Sequence, residues 1–184
     1  DMIIRDIVKE IYYYKIKKMT TMEFRIFHLK RIGMNIGEDC WLFSDGLETA
    51  EPYLVTIGSH VMIAPDVKFT THDASASFYI PGASDLFGRI EIGNEVFIGM
   101  GTIVLPGGVI PDRCIVGAGS VITKRFERPG MVIAGNPAKE ICTVEQLRDK
   151  NQKYALNTWG KNATEKRKYL LDNEDKLKGF QGKQ

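Results

Sequence analysis

The stretch "IGNEVFIGMGTIVLPGGVIPDRCIVGAGSVI", residues 92–122, carries an aliphatic residue at every sixth place: Ile92, Ile98, Val104, Ile110, Val116 and Ile122. A period of six fits neither a helix nor an unbroken alternating strand; it fits a short strand and a tight corner, repeated. Toward the N-terminus the same spacing links Ile57, Ile63 and Phe69, and before them Ile36 and Leu42. Gly or Ala often follows the anchor, as at Gly37, Gly58, Ala64, Gly93, Gly99 and Gly117, where glycine is expected to supply corner angles that other residues resist. Four places after the anchor stands a small or β-branched residue: Cys40, Val61, Val67, Val96, Thr102, Gly108, Cys114 or Ser120. Three units close a triangular coil, so Ile92 is expected to stack on Ile110, Ile98 on Val116 and Val104 on Ile122. Coils so stacked sit about 4.8 Å apart and hydrogen-bond along the stack.

The rhythm breaks once at length. After Phe69 the next anchor is due at residue 75, yet it arrives at Ile92, seventeen residues late. The coils on either side still need each other's backbone hydrogen bonds, so the surplus is expected to leave as a loop over about 73–89. Loops longer than about 12–15 residues in a compact domain are usually functional. His72 stands at the root of this one.

The repeats together with "IGSHVMIAPDV", "VGAGSVITK" and "AGNPAKEI" resemble the hexapeptide-repeat acyltransferases, above all the sugar O-acetyltransferases of the maltose, galactoside and nodulation-factor type. The resemblance covers roughly residues 32–142. It implies an all-β core, a left-handed parallel β-helix, with flanking N- and C-terminal helices. It also implies a homotrimer whose acetyl-CoA groove lies between neighbouring subunits. His72 matches the family's general base, in the same Thr-His context. A neutral imidazole is suited to that role, because a sugar hydroxyl attacks a thioester slowly until its proton is removed. Met100, Ala118, Thr123, Lys124 and Lys139 match the family's donor site, and Cys142 stands where relatives often have a second basic residue. Asp45, Thr71 and Asp73 are the candidate acceptor contacts, with Asp73 equally able to turn the loop through its own backbone. The expected reaction is direct acetyl transfer from acetyl-CoA to a hydroxyl of a sugar or polysaccharide precursor. An antibiotic acetyltransferase of the streptogramin or chloramphenicol type, and a non-catalytic trimeric scaffold, are the alternatives.

The rest of the chain limits these readings. Residues 1–31 carry eight Lys/Arg against four acids, 143–184 ten against six, and 32–142 seven against thirteen. An acidic body argues against nucleic-acid binding, while the basic ends are candidates for peripheral contact with a membrane surface or for plain solvated helices. Residues 2–18 show helical spacing and 143–178 are polar and rich in Lys and Glu, so helices are expected over 1–31 and 143–184. No unbroken apolar run marks a span or a leader, and the three cysteines read as free thiols, so the expected compartment is the cytoplasm. Cys40 and Cys114 fall at inward positions, as inert core groups. A zinc site of the γ-carbonic-anhydrase type needs three grouped histidines, but His28 precedes the repeats and His60 is expected to face outward, so no metal is expected.

Overall fold

A computed structural model of the chain describes Tyr12 and residues 18–179. The N-terminal helical spacing over 2–18 falls almost wholly outside those residues. The first helix, α1, runs Thr21–Ile32 and starts on a capping box: the Thr20 hydroxyl accepts from the Glu23 N–H while the Glu23 carboxylate accepts from the Thr20 N–H. Lys30 and Arg31 occupy its last turn, where the helix dipole favours cations, and Gly33 ends it at φ 121°. Met22, Ile26, Leu29 and Ile32 turn toward the core, so α1 covers the open end of the coil that follows.

That coil is built of strands in parallel register on three sides, each of two or three residues except the last, Met131–Gly135, which has five. The first side stacks β1 (Asn35–Ile36), β3 (Val55–Ile57), β8 (Ile90–Ile92) and β11 (Val109–Ile110), aligning Ile36, Ile57, Ile92 and Ile110. The second stacks β2 (Trp41–Leu42), β4 (Met62–Ile63), β9 (Phe97–Ile98), β12 (Ile115–Val116) and β14 (Met131–Gly135). The third stacks β5 (Lys68–Phe69), β10 (Ile103–Val104) and β13 (Val121–Ile122). Ile110 on Ile92, Val116 on Ile98 and Ile122 on Val104 are the pairings expected from the six-residue spacing. The anchors form a sealed aliphatic column, each contributing about 1.5–3 kcal/mol by burial. A hairpin of β14 with antiparallel β15 (Ala138–Thr143) closes the far end.

The corners correct one sequence expectation. The glycines directly after the anchors are not where the backbone turns left-handed. Instead, a Cβ on Gly37, Gly58, Gly93 or Gly99 would lie 2.4–2.7 Å from atoms of the next coil, too close for any neighbour to accept. These glycines are required by clearance between stacked coils. Left-handed φ occurs three places after the anchor, at Asp39, His60, Asp66, Glu95, Gly101, Gly107, Arg113 and Gly119, with values of 51° to 83°. Five of those eight are not glycine, because the side chain there points into open solvent and only the modest left-handed cost remains. His60 is one of these corner residues and is exposed, as expected.

Four places after the anchors, Val61, Val67, Val96, Thr102, Cys114 and Ser120 are fully buried and Cys40 nearly so. The polar members return their hydrogen bonds to the backbone: Thr102 Oγ1 donates to the Gly99 carbonyl at 2.8 Å and Cys40 Sγ to the Gly58 carbonyl at 3.2 Å. Burial pushes the Cys114 thiol up, which suits a core group and not a nucleophile.

Residues 145–184 form a separate unit, reached through α2 (Val144–Asn151). It contains α3 (Ala163–Asp172), started by a second capping box in which Asn162 and Glu165 exchange hydrogen bonds. None of the helices among the described residues is long and apolar enough to cross a membrane.

Candidate active site

Two coils are longer than eighteen residues, and both spill their excess at one corner, between the third and first sides. From Ile36 to its partner Ile57 the chain takes three extra residues, and the segment 48–54 bulges there. From Ile57 to its partner Ile92 it takes seventeen extra, which form the loop after Phe69. One lies a single coil above the other, so the two insertions meet. Glu51, ahead of the short turn Pro52–Leu54, comes from the first, and Thr71 and His72 open the second.

The loop is itself ordered. His72–Asp73 (β6) pairs antiparallel with Leu86–Phe87 (β7), setting His72 opposite Phe87 and Asp73 opposite Leu86. The Gly88 N–H donates to the Thr71 carbonyl at 2.9 Å and pins the loop at its base. Asp73 accepts from the Ser75 N–H at 2.9 Å and caps a turn over Ala74–Phe78.

At the centre, Nδ1 of His72 lies 2.9 Å from Oε2 of Glu51, and the buried Thr71 hydroxyl donates to the same oxygen at 2.6 Å. The Thr71 hydrogen bond, and after it that of His72, hold the Glu51 carboxyl below its ordinary range. An ionised carboxylate only accepts, so Nδ1 carries the proton and the lone pair of the neutral ring rests on Nε2. The hydrogen bond to Glu51 raises the His72 pKa above its usual value, with smaller contributions from the Glu51, Asp85 and Asp73 charges. Glu51 is 16 % exposed and His72 41 %, so the carboxylate is sheltered while the ring remains open to an incoming group.

The residues matched to a donor site lie in three places. Met100 and Ala118 share the corner between the second and third sides, where the Gly119 N–H donates to the Met100 carbonyl at 2.8 Å. Thr123 and Lys124 follow β13 at the corner that carries His72, with the Lys124 ammonium 5.5 Å from the centre of the Phe126 ring. Exposed Lys139 stands on β15 opposite Ala134. Of the acceptor candidates, Thr71 joins Glu51 and Asp73 caps the loop turn, whereas Asp45 is paired with Arg25, whose guanidinium also donates to the Leu42 carbonyl at 2.7 Å. His28 bonds Glu48 at 2.9 Å, and the described residues contain no group of His, Cys, Asp and Glu able to hold a metal ion.

Glu51 is the residue that the sequence reading missed. Its signal is a phase slip: Leu42 and Ile57 are fifteen residues apart, not a multiple of six, so the repeat is interrupted there as well.

No family model matches the chain. It is 40% identical over 164 residues to Protein CapG of Staphylococcus aureus, covering 87% of this chain and 93% of that one. A maltose O-acetyltransferase from Clostridium difficile superposes with a TM-score of 0.55 at 26% identity, over 74% of this chain and 87% of that one. A galactoside acetyltransferase in complex with coenzyme A shares the fold, with a TM-score of 0.53 at 20% identity over 84% and 86% of the two chains. A near full-length relative and a three-sided coil of six-residue repeats agree: the chain belongs to the hexapeptide-repeat acetyltransferases and is an acyltransferase.

Proposed function

We propose that the protein transfers an acetyl group from acetyl-CoA directly to a hydroxyl of a sugar or polysaccharide precursor, with His72 as general base. The carrying observation is the Thr71–Glu51–His72 arrangement, in which a sheltered carboxylate fixes the ring through Nδ1 and leaves Nε2 as the basic nitrogen. In this reading Nε2 takes the acceptor hydroxyl's proton as its oxygen attacks the thioester carbonyl. The resulting imidazolium, steadied by Glu51, returns that proton to the departing thiolate. Glu51 is a positioning residue: it sets the tautomer and the angle of the ring without touching substrate.

The donor residues lie at two corners and a hairpin of one chain, which suits a groove completed by a second subunit. The coil, read as left-handed from the family, offers a wall for this. Along its second side Trp41, Met62, Phe97 and Ile115 face outward in register, an apolar stripe fitted to assembly as a homotrimer. Lys124 and Lys139 are the cations placed to meet the donor's phosphates.

The test follows thiol release from acetyl-CoA with a panel of sugars and with chloramphenicol, for the parent and for His72→Ala. The expected outcome is transfer to a sugar hydroxyl, with kcat lowered roughly 10²–10⁴-fold in the variant. Equal rates would remove His72 from the mechanism.

A further inference from the structure

We infer that Phe87 and Asp85 form the acceptor subsite, with the Phe87 ring as the platform for the apolar face of a pyranose and the Asp85 carboxylate accepting hydrogen bonds from its hydroxyls. This deepens the reading above and rests on transfer to a sugar hydroxyl beside His72.

Three observations lead to it. First, the polar residues expected from sequence to meet the acceptor already have partners: Thr71 is spent on Glu51 and Asp73 on the Ser75 N–H, while Asp45 is held by Arg25. Second, the β6–β7 register sets Phe87 directly opposite His72, the ring centres 6.0 Å apart and the planes tilted by 52°. That ring is 58 % exposed, though it sits at the mouth of a site where water would otherwise compete for the acceptor. An aromatic face left bare beside a catalytic base is matched by a ligand with an apolar face of its own. Third, Asp85 is two residues from Phe87 on the same strand arm, half-buried, close enough for its charge to act on His72, and forms no hydrogen bond among the described residues.

The combination selects among acceptors. An acyclic polyol offers hydroxyls but no flat apolar face, and an aromatic acceptor such as chloramphenicol offers the face but carries its donors on a flexible side chain, not around the rim of the stacked ring. A pyranose offers both, with axial C–H groups on one face and hydroxyls around its rim. Stacked on Phe87, with a rim hydroxyl on Asp85, it presents another hydroxyl to Nε2 of His72.

Methyl β-D-galactopyranoside, maltose, sorbitol and chloramphenicol are assayed with acetyl-CoA on the full chain. The parent is expected to acetylate the pyranosides in preference to sorbitol and chloramphenicol. Phe87→Ala is expected to raise the pyranoside KM roughly tenfold and Asp85→Asn about fivefold, with the acetyl-CoA KM within about twofold of the parent. Phe87→Tyr keeps the face and retains the parental KM, while Phe87→Leu keeps bulk without the face and behaves as Phe87→Ala, so a poorly folding alanine variant does not decide the matter. Transfer to chloramphenicol or sorbitol but to neither pyranoside overturns the inference. So does a Phe87→Ala variant whose kcat and acid limb move while its pyranoside KM does not, since the ring would then only position His72. His72→Ala separates the two claims: if it is as active as the parent while the Phe87 variants still raise the pyranoside KM, the base assignment fails and the subsite stands.

Discussion

Gly99→Ala and Gly101→Ala add the same methyl group two residues apart and are expected to differ severalfold in cost. A Cβ on Gly99 would lie 2.5 Å from the Ala118 nitrogen, 2.8 Å from the Val116 carbonyl oxygen and 2.9 Å from the Ala118 Cα. All three are backbone atoms of the next coil, so no side chain can swing aside. Relief to ordinary contact requires the two coils to part by close to 1 Å, which stretches the Gly99 N–H to Val116 carbonyl bond from 2.8 Å and strains its neighbours in the ladder. Losing two or three such bonds at about 1 kcal/mol each, with roughly 1–3 kcal/mol of overpacking, gives about 3–6 kcal/mol. Gly101 has φ +69° and nothing within 4 Å, so its alanine meets only left-handed strain of about 1–2 kcal/mol, partly offset by a stiffer unfolded chain. At about 2–4 °C per kcal/mol for a chain of this size, Gly99→Ala should melt roughly 6–24 °C lower and Gly101→Ala only a few degrees lower. Thermal unfolding followed by circular dichroism at one fixed protein concentration measures both. Equal losses would refute the clearance argument and return the post-anchor glycines to a conformational role.

Three further outcomes test the site. Because Glu51 raises the His72 pKa and only the neutral imidazole acts as base, activity should fall as pH drops through a value above the ordinary histidine pKa; Glu51→Gln should move that acid limb to lower pH and reduce kcat, and an unmoved limb would dismiss the pair. The same pair carries a stability signature: the His72 part is present at low pH and lost as pH rises through its raised pKa, whereas the Glu51 part is present near neutrality and lost in acid, so Thr71→Val should cost the most stability in a urea titration at pH 7 and less as the pH is lowered through the carboxylate range. Lys124→Ala and Lys139→Ala should each raise the acetyl-CoA KM several-fold with little change in kcat, and added salt should weaken donor binding more in the parent than in the double variant, as measured by initial rates.

Much of the coil was legible because a narrow buried column is filled by aliphatic anchors, with Phe69 the aromatic exception, and a period of six stacks Ile92 to Ile122 on three sides. The loop was legible as arithmetic, since seventeen residues have no place in the ladder. Glu51 was not, because three surplus residues look like ordinary variation and a carboxylate between two turns has no pattern of its own; only the stack brings it to His72. The glycines were legible in position and misleading in reason. Local sequence cannot separate a residue that must turn from one that must leave room, and Arg113 or Glu95 at φ 57° and 55° gives no hint of the turn it makes. The apolar stripe from Trp41 to Ile115 was likewise hidden, since its members are spread over 75 positions and align only across coils.

The shared corner at which both insertions leave has a consequence for how such a chain can change. Backbone bonds above and below the exits hold the coils in phase whatever the length of chain between them, as the Gly88 N–H to Thr71 carbonyl bond closes the loop at its neck. Residues between that neck and the tip can therefore be exchanged wholesale without retuning the column, provided His72 keeps its strand. On the reading proposed above, acceptor choice and structural integrity are inherited separately, and a graft of the 74–87 segment from a relative into this chain should transplant selectivity while leaving the melting temperature nearly where it was.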